Sequence, residues 1–306
     1  IKILDRFFRW SGISVPLDME LIRQLPRSDV VYVVSGDAYQ ALTLLLISIL
    51  AGARRLVLGI HSRPPYDRFV RLRKPFDFLS RTGFLKAVHV VNPVDKLMLE
   101  QILKSRVVHI PNGVSCHRFK PDLGAKRTFQ VLFVGALSPD KGIDIFPEIL
   151  LLLKRREIKP KITIVSTGGP LLDPVRKWVE TGDGEIELKG FVEDDELAKL
   201  YAEATVVLLP SRDEAFGLVA LEAQASGTPV ICSNTSGFRQ TVLDGVTGFI
   251  VSRWSAGMFS EAVAKIHQLW LQDKERYSSM CLDARNHVKR SFGWDIVVDS
   301  LMDLFI

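Results

Sequence analysis

"EAFGLVALEAQASGTPV", Glu214 to Val230, is the stretch on which the reading of this chain turns. Between Leu218 and Ala225 apolar residues fall on nearly every side, the pattern of a buried helix. Gly227 closes that helix as a C-terminal glycine, and Pro229 forbids its continuation. In its middle sits a carboxylate, Glu222. Ionised carboxylates are buried only with partners, because desolvation costs several kcal/mol. The helix is expected to begin near Phe216 or Gly217, which leaves Glu214 in a loop. Free N–H groups near Phe216, Gly217 and Leu218 point the same way, and the helix dipole adds positive potential there. Helical side chains lean toward the helix start, so Glu214 and Glu222 flank an amide-rich pocket. A carboxylate accepts two hydrogen bonds and a vicinal diol offers two. Glu222 is therefore matched to a ribose and Glu214 to hydroxyls of another sugar. The competing reading is a structural Glu222, bonded to backbone or to an arginine.

Outward from this stretch, β-branched runs alternate with helical ones. "DVVYVVS" (29–35), "RLVLGI" (55–60), "AVHVVN" (87–92) and "VVHIPNGV" (107–114) read as strands of a first unit. A polar segment, 115–130, reads as a linker. The alternation restarts with "QVLFVGA", the helix "GIDIFPEILLLLKRR", "KITIVST", "IELKGFV", "TVVLLP", "TPVICS" and "TGFIV", with a long helical region from about Ser260. Short buried strands separated by helices predict βαβ units and parallel sheets. The fold class is therefore α/β, two Rossmann-like doubly wound units, whose ligands bind at the carboxyl ends of strands. The expected domains are 1–122, an incomplete N-terminal Rossmann-like unit on the acceptor side; 123–288, the nucleotide-sugar unit; and 289–306, a C-terminal helix packing back toward the first.

The 306 residues are 47% hydrophobic and 25% charged, an ordinary globular balance. The longest apolar run, Ala41–Ala53, is too short for a membrane span, which needs about 20 residues. Charged residues near the start argue against a signal peptide. Cys116, Cys232 and Cys281 form no disulfide framework and no zinc spacing, which fits a reducing cytoplasm. The net charge of +5 conceals an asymmetry: up to Asp122 there are 19 Lys and Arg against 10 Asp and Glu. The densest basic stretch is Arg63–Lys86, with Tyr66, Phe69, Phe76, Phe78 and Phe84 interleaved. It reads either as an amphipathic helix with a solvated basic face or as peripheral contact with an acidic membrane or an anionic acceptor. No nucleic-acid-binding module is recognisable. No Gly-x-Gly-x-x-Gly or Gly-x-Ser-x-Gly occurs, which disfavours a nicotinamide dehydrogenase and a serine hydrolase.

Two other strand ends carry unusual residues. In "FVGALSPDKG" (133–142), Gly135 allows a tight turn, and Lys141 with Gly142 lies at a helix start where a phosphate is favoured. In "VSTGGP" (165–170), paired glycines permit close approach of a ligand or form a plain turn.

These residues resemble glycosyltransferase family 4, whose members use nucleotide sugars on the two-domain GT-B fold and carry two glutamates separated by seven residues. The resemblance rests on Glu214–Val251, and also on "VVHIPNGVSCHRFKP", "VLFVGALSPDKG", "LKGFVEDDELAKLYAEATVVLLPSRDEAFG" and "SFGW". It implies that Glu214 contacts the donor sugar, Glu222 the ribose, and the backbone of Ala215, Phe216, Gly217 and Leu218 the sugar and phosphate. Lys141, beside Gly135, would neutralise the diphosphate, and Gly190, Phe191 and Val192 would border the base. His61 in "GIHSRPP" matches a histidine that faces the donor sugar, while the other five histidines are read as structural or surface. The implied activity is retaining sugar transfer from a UDP-, GDP- or ADP-sugar to a glycan or lipid-linked hydroxyl, without a cofactor or metal. It would take place in the cytoplasm or at the inner face of the membrane. The alternative is a nucleotide-sugar-binding protein without transfer. Two departures stand out. Ala136 replaces an arginine frequent in relatives, with Arg212 or a first-unit arginine as substitute. The early Gly-Gly loop of relatives is missing, Gly12 being the only early glycine, so the first unit is expected to be truncated.

Overall fold

The computed structural model describes residues 7–10, 13–16, 30–122, 128–181 and 185–305. Gly12 lies outside the described residues, as do 123–127 of the expected linker. The chain divides into two compact units, one reaching to Pro111 and including Asp299–Ile306, the other Asn112–Val298.

The first unit contains an antiparallel hairpin, β1 (Phe7–Trp10) and β2 (Ile13–Pro16), where the sequence reading had no strand. Its main sheet is parallel, in the order β3 (Val31–Val34), β4 (Leu56–Ile60), β5 (Leu85–Val90), β6 (Val107–His109). The helices are α1 (Ala38–Leu50), α2 (Tyr66–Arg71), α3 (Arg73–Arg81) and α4 (Pro93–Ile102). Asp37 caps α1 by accepting from the Tyr39 and Gln40 amides, and Asn92 caps α4 with Pro93 in its first turn. The strand expected over 107–114 stops at His109. Pro111 lacks the N–H that would continue the ladder. Arg63–Lys86 forms two short helices rather than one amphipathic helix. Phe69 and Phe76 stack in the core with ring centroids 5.4 Å apart, while Phe78 is exposed. Part of the aromatic pattern there is therefore core.

The second unit has a six-stranded parallel sheet in the order β12 (Gly248–Val251), β11 (Val230–Ser233), β10 (Val206–Leu209), β7 (Gln130–Val134), β8 (Lys161–Val165), β9 (Ile186–Lys189). Its helices are α5 (Phe146–Lys154), α6 (Leu172–Thr181), α7 (Asp194–Glu203), α8 (Leu218–Ala225), α9 (Phe238–Thr241), α10 (Ala256–Gln272) and α11 (Lys274–Ser291); the last helix, α12 (Trp294–Met302), begins in this unit, and its residues from Asp299 are assigned to the first. The apolar faces of α5, α6, α10 and α11 close one core around Phe133, Phe146, Ile164, Leu208 and Phe259. After β7 the chain adds β8 and β9 on one side, then crosses to add β10, β11 and β12 on the other. The β7–β10 junction is therefore a topological switch point, where open α/β sheets bind ligands at their carboxyl edge.

The helix expected from Gly142 begins only at Phe146. Pro139–Lys141 and Ile143–Ile145 form two 3₁₀ turns around Gly142, which is left-handed at φ 72°. A Cβ at Gly142 would lie 2.0 Å from the Pro210 carbonyl oxygen, so the backbones after β7 and β10 touch at this residue. The strand expected over 186–192 ends at Lys189.

Candidate functional site

The site is built at that switch point. α8 starts one residue after Gly217, which serves as its N-cap at φ 92°. A Cβ there would fall 2.8 Å from the Phe238 ring, so glycine is required by both space and conformation. Gly227 ends the helix in the left-handed conformation at φ 68°, as its sequence position suggested. The loop Glu214–Phe216 is pinned from behind: the Gly237 amide donates to the Glu214 carbonyl at 3.0 Å. The Phe216 side chain is buried against Phe292, so only its backbone is available to a ligand.

Lys141 and Glu214, from the two loops that flank the switch point, meet as an ion pair: Lys141 Nζ donates to Glu214 Oε2 at 2.7 Å. The Glu214 side chain is 18% exposed and that of Lys141 36%. Gly135 lies beside this pair, at φ 156° with a virtual Cβ 3.8 Å from Lys141 Cγ. The loops after β7 and β8 are laced together, Leu137 N–H donating to the Gly168 carbonyl and Leu171 N–H to the Leu137 carbonyl. Gly169 is needed for that contact, since a Cβ would sit 2.5 Å from the Leu137 carbonyl oxygen.

Glu222, half-buried on α8, has a protein partner that the sequence reading missed. Tyr201 on α7 donates its hydroxyl to Glu222 Oε2 at 2.8 Å. The Tyr201 ring is fully buried and packs edge-on against Phe119. Burial raises the Glu222 carboxyl above its ordinary value. The Tyr201 hydrogen bond works against that shift, and the Asp194 carboxylate adds to it. Burial, with the Glu222 charge beside it, raises the Tyr201 hydroxyl well above its usual value, so Tyr201 stays protonated and donates. The expectation that a ribose alone satisfies Glu222 is thus corrected: one oxygen is already held by the protein. "LAKLYAEA" had offered only a tyrosine on the apolar face of a helix.

Arg212, the expected substitute cation for a diphosphate, already has partners in the chain. It makes a two-pronged pair with Asp144, at 2.8 and 2.7 Å, also donates to the Pro139 carbonyl, and stacks on Trp254 at 3.9 Å. That pairing holds Asp144 below and Arg212 above their ordinary pKa values. A polar cavity of about 320 Å³ opens beside Arg212, between Ser211, Ser233, Asn234, Thr235 and Ser252. A larger one, about 690 Å³, lies at the amino ends of β7 and β8, near Phe129 and Lys161. The larger cavity is on the wrong edge of the sheet for a ligand of an open α/β fold. Phe191 is 73% exposed, just beyond β9.

His61 belongs to the other unit, just past β4. It is not a lone polar loop residue. Its Nε2 lies 2.9 Å from the Tyr32 hydroxyl, which also bonds His89 Nδ1, and His89 Nε2 lies 2.8 Å from the Ile110 carbonyl. His89, read from sequence as structural or surface, is thus a direct member of the His61 network. Burial pulls its pKa down to about 4. Among the described residues no group of three or more His, Cys, Asp or Glu is placed to hold a metal ion. Among the same residues no helix is long and apolar enough to cross a membrane.

The chain is 28% identical over 247 residues to D-inositol 3-phosphate glycosyltransferase of Thermobispora bispora, covering 71% of this chain and 56% of that protein. It is 32% identical over 214 residues to the GDP-mannose-dependent alpha-(1-6)-phosphatidylinositol monomannoside mannosyltransferase of Mycobacterium tuberculosis, covering 64% and 54%. The chain thus spans about half the length of the curated relatives it matches. Among solved structures, sucrose-phosphate synthase from Thermosynechococcus elongatus superposes with a TM-score of 0.73 at 21% identity, over 98% of this chain and 82% of that one. The Anabaena protein HepE, solved with UDP and glucose, gives 0.71 at 20% identity, over 93% and 79%. These two likenesses establish the fold, two Rossmann-like units of the GT-B class. The family model described as glycosyl transferases group 1 matches residues 117–285, more than half of the chain and the whole of the loop, helix and ion pair described above. The chain therefore belongs to the group 1 glycosyl transferases, the family that the paired glutamates had suggested.

Proposed function

We propose that this chain transfers a sugar from a nucleoside diphosphate sugar to a hydroxyl acceptor, with retention at the anomeric carbon. The observation that carries the reading is the Lys141–Glu214 pair across the switch point, beside the amides that open α8. In the reaction the bond from the anomeric carbon to the diphosphate oxygen breaks, one to the acceptor oxygen forms, and the acceptor hydroxyl gives up its proton to the departing diphosphate. Negative charge develops on the departing diphosphate. Lys141 and the amides of Ala215–Leu218 are the groups we assign to it, since preorganised donors stabilise charge as it appears. Glu214, released from Lys141 by the incoming phosphate, is assigned to sugar hydroxyls. Glu222 is assigned to the ribose, Tyr201 holding one oxygen and leaving the other for the diol. Phe191 is assigned to the edge of the base, and His61 to the donor sugar; the latter rests on the sequence resemblance.

The donor class is a UDP-, GDP- or ADP-sugar, and the acceptor a glycan or a lipid-linked hydroxyl. Relatives named for inositol phosphate and phosphatidylinositol mannoside acceptors, and a neighbour solved with UDP and glucose, support those classes. Peripheral membrane contact through 63–86, and action at the cytoplasmic face of a membrane, belong to the same proposal. The exposed Phe78 and Val70 among arginines support it. No metal is required on this reading, because Lys141 and the helix amides take the leaving charge. The alternative is nucleotide-sugar binding without transfer. Incubation of the full chain with labelled UDP-, GDP- and ADP-sugars and a panel of glycan and lipid acceptors separates the two. Product that vanishes in Glu214→Ala supports transfer. Binding with no product from any pair rejects it.

A further inference from the structure

Lys141 receives little support from its own segment. It ends the 3₁₀ turn Pro139–Lys141, where its N–H donates to the Ser138 carbonyl at 3.1 Å, and Gly142 then turns the chain at φ 72°. Hydrogen bonds in so short a 3₁₀ turn have poor geometry, and no ladder continues them. What fixes the segment comes from the loop after β10. The Arg212 N–H donates to the Asp140 carbonyl at 2.8 Å. The Arg212 guanidinium donates to the Pro139 carbonyl and, as a fork, to both Asp144 oxygens at 2.8 and 2.7 Å. The Pro139 carbonyl also accepts from the Gly142 N–H at 3.0 Å, so its two lone pairs serve the turn and the clamp. Arg212 thus grips the chain on both sides of Lys141.

Arg212 is itself fixed. Its guanidinium lies over the Trp254 ring at 3.9 Å, and Trp254 Nε1 donates to the Pro210 carbonyl at 2.6 Å. That carbonyl is the one a Cβ at Gly142 would strike, so the tryptophan, the arginine and the Gly142 turn are packed as one block. The planar fork matches the carboxylate and its flat face matches the indole. A lysine ammonium, a point charge on a flexible stem, reproduces neither contact.

We propose that Arg212 is a positioning residue for Lys141, clamping the 139–144 segment to the loop that carries Glu214. The inference rests on the assignment of Lys141 to the departing diphosphate under the proposed function. There the 2.7 Å pair of Lys141 with Glu214 is given up when phosphate arrives. The Arg212–Asp144 fork uses neither of those side chains and stays in place. Lys141 then meets the phosphate from a backbone already set, and little ordering is needed as charge develops. The Arg212 charge is paired with Asp144 and attracted by Asp140 as well, so it acts through Lys141 rather than on the phosphate.

The test is a mutant cycle on the full chain, run where urea denaturation shows every variant folded. Arg212→Lys keeps the charge and loses the fork. Asp144→Asn keeps the shape and loses the charged acceptor. Each should lower the kcat of sugar transfer about tenfold with donor KM little changed, the cost of a small misplacement near the chemistry. The two together should lower it no further than either alone. In a Lys141→Ala background neither should lower it at all, because a residue that acts through another adds nothing once that other is gone. Hydrogen exchange at 141–145 should quicken in both single variants without any ligand. A tenfold loss that persists in the Lys141→Ala background overturns the proposal, since Arg212 would then meet the phosphate itself. Unchanged exchange at 141–145 in both variants also overturns it. Quickened exchange, with transfer absent from the wild type or unaltered by Lys141→Ala, would instead reject the assignment of Lys141 while upholding the clamp.

Discussion

Replacing Glu222 by glutamine separates two properties that a merely structural carboxylate would keep together. In the wild type the half-buried carboxyl titrates above its ordinary value because burial penalises its charge. The sign follows from linkage. Below the ordinary carboxylate range both folded and unfolded chains hold the proton, and no penalty exists. As pH rises through the raised folded value, the native state must ionise Glu222 in a poorly solvated place, and stability is lost. The substituted glutamine never ionises, and it keeps an amide oxygen for the Tyr201 hydroxyl, which donates to Glu222 at 2.8 Å in the wild type. The variant should therefore match the wild type in acid and gain on it as pH approaches 7. Ligand binding should move the other way. The ribose diol loses a charged acceptor, and a hydrogen bond to a charged group is worth about 2 kcal/mol, which is roughly thirtyfold in Kd. Urea denaturation across the pH range, paired with calorimetric titration of the nucleoside diphosphate, reads both. Lower stability at pH 7 with unchanged affinity would refute the reasoning, because it would make Glu222 only the structural acceptor of Tyr201.

Three further outcomes follow from the same geometry. Lys141→Ala should lower transfer by about a hundredfold, the scale of one lost donor to a developing anion, while the urea midpoint moves little; a loss of activity that only tracks unfolding would count against the assignment. Gly142→Ala should destabilise the second unit by about 3 kcal/mol or more, because the new Cβ meets the Pro210 carbonyl at 2.0 Å and φ is 72°; an unchanged denaturation curve would contradict the close approach of the two loops. His89, held neutral with a pKa near 4, should make stability fall as pH drops below about 6.5, by up to about 3 kcal/mol once the folded value is passed; His89→Gln should flatten that part of the curve, and an unaltered slope would show the ring is not buried neutral.

The local signals in the sequence carried the second unit far. Apolar strands, the glycine after α8 and the paired glutamates all act within a few residues of themselves, so "EAFGLVALEAQASGTPV" discloses a loop, a helix and a stop. Signals that depend on distant partners were invisible. Tyr201 reaches Glu222 across 21 residues of chain, and the Tyr32–His89 contact spans 57. No periodicity marks either pair. Arg212 looked like an available cation because Asp144 stands 68 residues away. Gly142 looked like the first turn of a helix, and only its contact with Pro210 explains why the chain makes 3₁₀ turns there. In Arg63–Lys86 the aromatic spacing mixed two causes, Phe69 and Phe76 being core and Phe78 surface.

Hydrogen–deuterium exchange of the full chain, with and without UDP, GDP or ADP and their sugars, tests the central claim most directly. The account predicts that one of these donors slows exchange in two separated segments together, 135–142 and 214–222, and that Glu222→Gln weakens the effect. Protection confined to other segments, or none with any donor at millimolar concentration, would contradict it.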